Sequence, residues 1–550
     1  GWLGQLFGGQ KTVLRGSFAV IVYDEGTNMY ASNLGPNLGK TISANLVSGQ
    51  SILPQFTSLS DVVANPVPIS AFPFTTTEYR RTVSQADQTF RTSLNGMDPG
   101  LRAPYTLNWN VSVQREVARN TVVEARYVGT QGRGQWRTSN INEVNIFENG
   151  FLEEFNNARR NLAINRSAGV QSFANLGRPG QVGLPLFEAA FGPLGNVAAL
   201  PAGSGFQSAG FITNLDNGGA GALANTLATN RDYVCRMFGN RLQACPGFVN
   251  AGFNVPGRYP INFFLLNPYV AGRLNYVEGV GRTWYNGLQV QLRRQQANGL
   301  TWTANYTWSS SLTNNRADNA TMSSDWRTRR DTGMDRVISP FDIRHVVQMF
   351  GTYDLPFGAG RKFAIRNRLL DAVAGGWVIG SVIVFNTGQP VQLTGGGFNN
   401  VNTSDNAMAN GVILAPGVTL DQIRGLFNAP RIRMTGRADA IDINRIAVDP
   451  RLIGPDGRAN PEFLQVNRNP GWFGQLLYIP GRNNFNWDAS LTKTFRITEG
   501  LRFELFGGAQ NVMNRQQWGM PNANVFSTQF GVVGAPSGQR QMNFRGTLNF

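Results

Sequence analysis

Residues that could do covalent or metal chemistry are few. His345 is the one imidazole in the 550-residue chain, and Cys235 and Cys245 are the two thiols. A His-based triad can exist nowhere but at His345, and a zinc centre would need close N or S ligands that one His and two distant Cys do not supply. His345 follows Arg344 where an alternating segment begins, a place that suits a structural or interfacial histidine better than a catalytic one. The 64 glycines include no GxxxxGKS or GxxxxGKT pattern behind a strand, so no phosphate loop is present. We expect no enzyme, no metal and no cofactor.

Side chains that could contact a ligand are more informative. Glu124, Arg126, Gln289, Gln291, Arg293, Asp488, Arg502 and Glu504 stand at polar positions of apolar–polar alternating segments. They would line the lumen of a closed sheet or meet whatever fills it. The stretch Asp325–Arg336 mixes four Arg with three Asp. It is expected to be solvated or self-paired, with contact to an anionic ligand as the alternative. Cys235 and Cys245 lie ten positions apart in the longest non-alternating stretch. In oxidising surroundings they can form one intrachain disulfide, stabilising that loop by about 2–3 kcal/mol; two free thiols are the alternative. In the same stretch Phe151, Leu152, Phe155, Ala158 and Leu162 share a helical face, with Glu153, Glu154, Arg159 and Arg160 largely elsewhere. A loop helix packed on a rim is expected there, with a lid or ligand-contact element as the alternative.

The elements that must position these side chains are strands. Period-2 alternation puts successive side chains on opposite faces of a sheet. At the C-terminus Met542, Phe544, Gly546, Leu548 and Phe550 alternate with Gln541, Asn543, Arg545, Thr547 and Asn549. The pattern recurs at Lys11–Tyr23, Tyr105–Gln114, Val123–Tyr127, Leu288–Arg293, Leu300–Ser309, Asp342–Leu355, Gly376–Thr387, Phe485–Ile497 and Leu501–Gln510, making ten strands. Gly376–Thr387 is apolar on both faces, so its register is the least defined. Four links are short, at 118–120, 295–299, 498–500 and 356–375, the last holding a helix near Arg366–Val373. Five are long, at 24–104, 130–282, 312–341, 388–484 and 512–539. Loops of that length are rare in compact soluble domains. Short turns on one side, long loops on the other and aromatic residues near strand ends are the plan of an outer-membrane barrel, with the long loops extracellular.

Composition agrees. The chain is 41% hydrophobic and 15% charged, yet no run of about 18 apolar residues marks a transmembrane helix. A barrel needs none, because each strand crosses with about ten alternating residues. The 49 Lys and Arg against 33 Asp and Glu give a net charge of +16. They are scattered and mostly Arg, without an RNP-like motif, zinc-finger spacing or basic helix, so nucleic acid is not the expected partner. Arg-rich loops facing anionic lipopolysaccharide or an acidic ligand explain the charge better.

Read in order, these segments resemble the Oar-like TonB-dependent receptors. The resemblance is carried by KTVLRGSFAVIVYD at 11–24, APYTLNWNVSVQREV at 103–117, TVVEARYVGTQGRG at 121–134, YNGLQVQLRRQ at 285–295 and LTWTANYTWSSSLT at 300–313. It continues through FDIRHVVQMFGTYDLPFGAGR at 341–361, GRNNFNWDASLTKTFRIT at 481–498 and RQMNFRGTLNF at 540–550. No piece is specific alone; their order and spacing are. The resemblance implies an all-β, transmembrane, antiparallel outer-membrane β-barrel of 22 strands in a Gram-negative bacterium. It also implies a plug, a carboxypeptidase-regulatory-like domain and energy delivered by TonB to an N-terminal box. No plug, regulatory-like domain or box is recognisable in residues 1–550, and the chain opens without a leader. We expect the C-terminal portion of the barrel, beginning at an internal cut. Phe550 resembles the terminal signal read by the barrel-assembly machinery. The implied function is uptake or transport of a bulky ligand of unknown identity. A surface structural or adhesion protein whose long loops bind partners is the alternative, and a soluble, secreted β-rich binding protein is a third reading.

Overall fold

The alternating segments assemble into one antiparallel sheet. A computed structural model describes residues 11–23, 93–191, 205–230, 263–267, 273–315, 327–395, 411–427, 433–435, 444–498 and 500–550, with isolated positions at 34, 233, 236–237, 259 and 400–401. The ten main strands are β1 (Thr12–Val22), β2 (Tyr105–Ala118), β3 (Thr121–Asn140), β4 (Arg273–Ala297) and β5 (Leu300–Thr313), then β6 (His345–Asp354), β7 (Trp377–Asn386), β8 (Asn484–Arg496), β9 (Arg502–Gln510) and β10 (Gln541–Asn549). Each pairs with the next in chain order, an up-and-down meander. Two short strands join its flank: Ser93–Met97 runs parallel to the start of β4, and Val337–Ile338 pairs with the end of β5. Among the described residues β1 and β10 have one partner strand each.

Register decides which side chains share a face, because directly opposed residues point the same way. The ladder carries Val113, Ala125, Val290, Tyr306, Val347, Phe385 and Phe485 across seven strands as one row. This face holds almost only apolar side chains, and many are exposed: Phe18, Val111, Tyr127, Leu288, Trp308, Met349, Leu491, Leu505 and Phe544 among them. In β7 the register gives Trp377, Ile379, Ser381, Ile383 and Phe385 to this face and Val378, Gly380, Val382, Val384 and Asn386 to the other. Aromatic residues gather near the strand ends. Trp302, Tyr353, Trp377, Phe495 and Phe503 stand toward the short turns, and Trp109, Tyr127, Tyr306, Trp308 and Phe385 toward the loops. His345 belongs to the second group, its Nδ1 2.9 Å from the Tyr306 hydroxyl and its ring stacked on that tyrosine.

The four short links lie at one end of the wall. One is the two-residue turn Asn298-Gly299, whose φ of 53° and 77° are both left-handed, as a type I′ turn requires. The longest holds α5 (Arg368–Ala374), which starts after Asn367 because that side chain caps it, accepting from the Leu369 and Leu370 amides.

At the other end β3 and β4 run on, remaining paired to Asn140 and Asn275. The expected loop at 130–282 is thus shorter by about ten residues at each side. Alternation fades there because Trp136, Arg137, Thr138, Ser139 and Asn140 are all buried under loops, so neither face is singled out. Trp136 and Val277, both in this extension, are the wall's only buried hydrophobic residues among those described. The buried cores belong instead to the loops. One gathers Phe151, Phe155, Phe173, Phe187, Phe191 and Phe211 from α1 (Phe151–Ser167), α2 (Pro185–Phe191), α3 (Ala209–Asn217) and their connections, with α4 (Ala220–Thr229) beside them. The other joins two loops, packing Leu393, Ile423, Phe427, Leu464 and Ile479 against Val525 and Phe530; Ile423 and Phe427 come from α6 (Leu420–Phe427).

On the apolar face the Trp109 indole lies across Gly129, where any Cβ would overlap the ring, whereas a Cβ at Gly16 would meet Asn110 O at an ordinary 3.6 Å. Gly129→Ala is expected to cost about 1–3 kcal/mol by displacing the indole, and Gly16→Ala to be near neutral. Urea midpoints of the two variants folded in detergent check this; equal midpoints would remove Trp109 from the account of wall stability.

Candidate functional site

The second face of the wall is polar, and it is built row by row. Gln114, Glu124, Gln291, Asn305 and Gln348 oppose one another across β2 to β6. One pair further toward the loops stand Arg15, Ser112, Arg126, Gln289 and Thr307. Continuing the ladder through Val384 to Asn486 brings β8 and β9 into the same frame. Glu124, Arg126, Gln289, Gln291, Arg293, Asp488, Arg502 and Glu504 therefore all lie on this one face.

Four of the eight come together. Glu124, Arg126, Gln289 and Gln291, with Asn305 and Thr307, line an open hollow of about 220 Å³. Arg126 donates to the Glu124 carboxylate at 2.6 Å, and the Gln291 amide donates to Asn305 Oδ1 at 2.9 Å. The hollow offers amides, a hydroxyl and a neutralised ion pair. That set can hydrogen-bond a polar chain or ligand, and it holds no nucleophile–base pair. Arg293 is exposed, nearer the short turns, opposite Thr303. Asp488, Arg502 and Glu504 are elsewhere, beyond β6 and β7. Asp488 accepts from the Asn511 amide at 2.8 Å and from Asn486 at 2.9 Å. Glu504 lies 3.9 Å from Arg545, which covers the Phe506 ring. Phe550 is 99% exposed, so it makes almost no contact with the wall it terminates. Cys235 and Cys245 lie outside the described residues.

Above the polar face the loops interlock through charges. From Arg327 on, the segment 325–336 is in part the solvated, self-bonded loop expected, with 329–333 and 336 exposed and the Gly333 amide donating to Asp331, but Arg327, Thr328 and Asp335 are buried and several of its charges pair outside it. Arg137 of β3 and Asp335 form an ion pair at 2.7 Å with both side chains almost fully buried. The Arg327 amide adds a bond to the same carboxylate at 3.1 Å, and its guanidinium donates to Gly474 O in the β7–β8 loop. Arg329 pairs with Glu278 of β4 at 2.6 Å. Arg330 bridges Glu143 at 2.5 Å and Glu148 at 2.7 Å, and covers the Phe147 ring. Three loops and the extended β3–β4 ribbon are thus one connected layer. Its acidic partners Glu143, Glu148 and Glu278 are scattered singly along the chain, so no local pattern announces them.

Within the largest loop α1 packs on α2 and α3 rather than on a strand rim. Glu154, expected off the buried face, is itself buried. Its carboxylate accepts from the Leu186 and Phe187 amides at 3.0 and 2.8 Å, satisfying the open N-terminus of α2.

A wall with one continuous apolar, exposed face and one polar face, short turns at one end and interlocked loops at the other, defines an outer-membrane β-barrel protein. Residues 5–543 match the family model described as outer membrane beta barrel domain, and the chain belongs to that family. Its place is the outer membrane, with the apolar face toward lipid. Solved structures similar to it include the outer-membrane transporter YddB from Escherichia coli, at 8% identity and a TM-score of 0.31, over 83% of this chain and 34% of that one. A variant of the ferric enterobactin receptor PfeA from Pseudomonas aeruginosa aligns at 9% identity and a TM-score of 0.28, over 83% and 32%. The chain thus spans about a third of the length of these structures. Comparison with curated proteins gives no match.

Replacing Asp335 by Asn would remove the buried carboxylate that pairs with Arg137, at a local cost of about 3–5 kcal/mol. Limited proteolysis should then cut within residues 327–344 far faster while the strands stay intact; unchanged cleavage would mean the pair does not hold the layer. The layer should also respond to acid. Hydrogen bonding from Arg330 holds the Glu148 carboxyl below its ordinary value of 4.5. A carboxyl depressed in the folded state stabilises above its unfolded pKa, and that contribution is lost as pH falls through the folded one. Pepsin cleavage near Glu148 should rise as pH falls below the ordinary value of 4.5, and Arg330→Gln should flatten that rise. A rise unaltered by the substitution would refute the assignment.

Proposed function

We propose that this chain is the barrel part of an Oar-like TonB-dependent receptor, and that the intact protein moves a bulky ligand across the outer membrane. The observation that carries the reading is the polar wall beneath an interlocked loop layer. A passive pore needs an open mouth, whereas a gated receptor needs loops that close over its path. The ordered resemblance across the chain supports the same reading. Residues 1–550 would be the C-terminal portion of a 22-stranded barrel, a size class whose lumen is plugged. The single-partner edges at β1 and β10 support that portion's pairing with further strands. In this arrangement the eight polar-face residues line the lumen or meet the plug. TonB would act through that plug, lipopolysaccharide would surround the loops, and the assembly machinery would read Phe550. Cys235 and Cys245 would be bridged at the cell surface.

Mechanistically, the layer opens only if ligand or plug binds the open form better than the closed one. The buried Arg137–Asp335 pair makes that difference large, which favours an energised process over thermal gating. A second reading, a surface adhesion protein, is favoured by the self-contained loop cores, which can present a rigid binding surface without opening. Cells producing the full-length protein would be supplied with labelled ferric siderophore, maltodextrin and peptide, with TonB present or deleted. Accumulation of one class that falls to background without TonB is expected. Equal uptake in both strains would sink energised transport, and binding without uptake would support adhesion.

A further inference from the structure

The link between β6 and β7 carries a surface that the wall does not use. No residue of α5 is buried, and Leu369, Leu370 and Val373 on one side of it are 80%, 60% and 70% exposed. Phe357 and Phe363, stacked with ring centroids 5.5 Å apart, add two more exposed apolar groups to the same link. Alone, a helix of seven residues would not persist in water. Here it is built and fastened. Asn367 caps its start, and Asp371 turns inward to accept from the Ala359 amide at 2.7 Å. At its end the Trp377 indole donates to Val373 O at 2.9 Å and the Lys493 ammonium donates to Gly375 O. Trp377 and Lys493 oppose each other on the apolar, lipid-facing face. The helix is therefore tethered to the outside of the wall at its short-turn end.

Charge is arranged to match. Arg361, Lys362, Arg366 and Arg368 are all exposed. Arg361 lies 3.4 Å from Asp354, but among the described residues no carboxylate pairs with Lys362, Arg366 or Arg368. Exposed apolar side chains beside cations that no described carboxylate neutralises, with Lys362 lying over the Phe363 ring, are continuous with a lipid-facing surface and suit the boundary between headgroups and acyl chains of an anionic leaflet. A soluble periplasmic protein would not explain why the helix is tied to Trp377 and Lys493 at the lipid face.

We propose that α5 and its flanks form an interfacial anchor that binds anionic phospholipid in the periplasmic leaflet. Leu369, Leu370 and Val373 enter the acyl boundary, and Lys362, Arg366 and Arg368 meet lipid phosphates. Because the helix is preformed, binding costs little ordering. The inference stands on the membrane-spanning wall and not on transport.

The test is amide hydrogen exchange of the full chain in nanodiscs of phosphatidylcholine, with or without about one-third phosphatidylglycerol. Exchange across residues 369–374 is expected to slow at least about tenfold with the anionic lipid, and K362Q/R366Q/R368Q to abolish that difference while β6 and β7 exchange as before. Equal exchange in the two lipids, or an effect surviving in the triple variant, would overturn the proposal. Should that variant fail to fold, a salt series on the unaltered chain replaces it: the lipid effect must shrink as screening grows, and a salt-independent effect overturns the idea. Protection that appears only on adding periplasmic protein, and not with phosphatidylglycerol, would assign the surface to a protein partner instead.

Discussion

In a bilayer every peptide group must find its partner within the protein, and in this wall the partner is the neighbouring strand. That constraint fixes more here than packing does. The strands bury almost no hydrophobic side chains of their own, since Trp136 and Val277 both lie in the extension of β3 and β4. What the ladder provides is register. A slip of one residue between any two strands would exchange the faces of everything beyond it, sending Glu124, Arg126 and Gln291 to lipid and Val123, Ala125 and Val290 to water. The cost of charged side chains against hydrocarbon, about 2–4 kcal/mol each near mid-bilayer for Arg or Lys, therefore selects one pairing.

Once the chain leaves the bilayer it loses that selection and must make a core. It does so twice. The β3–β4 loop collects phenylalanines around α1, with T-shaped and tilted ring pairs such as Phe151–Phe264 at 5.1 Å and Phe191–Phe211 at 5.1 Å. The β7–β8 and β9–β10 loops contribute jointly to the second core, the latter through Val525 and Phe530. Between these cores the chain uses arginine, whose planar fork can bond carboxylate and carbonyl together. Arg137 does so with Asp335 and Asn314 O, so one side chain ties a strand to a loop.

All ten strands were legible in the sequence because lipid on one side and polar groups on the other force strict alternation. The same physics explains where legibility ended. In the extension of β3 the residues 136–140 are buried on both faces, so they show no period. The register of β7 was ambiguous because Val378, Val382 and Val384 put branched apolar groups on the polar face too. The polar-face candidates were recoverable as a set, but only pairing shows that Glu124, Arg126, Gln289 and Gln291 meet while Asp488 and Glu504 stand apart. Glu154 follows the same logic in a helix. Periodicity placed it off the apolar face, and the unsatisfied amides of α2, remote in sequence, drew it inside.

The two ends of the wall treat positive charge in opposite ways, and this follows from what each end faces. At the loop end Arg137, Arg329 and Arg330 are matched by Asp335, Glu278, Glu143 and Glu148, so the layer spends its cations on internal cohesion. At the short-turn end carboxylates are scarce and Asp371 is turned to a backbone amide, leaving Lys362, Arg366 and Arg368 outward. A net charge of +16 is therefore a poor guide to where this protein is basic. The cations of the loop layer are held by carboxylates drawn from other loops and strands, whereas Arg366 and Arg368 beside the short turns have no carboxylate partner among the described residues.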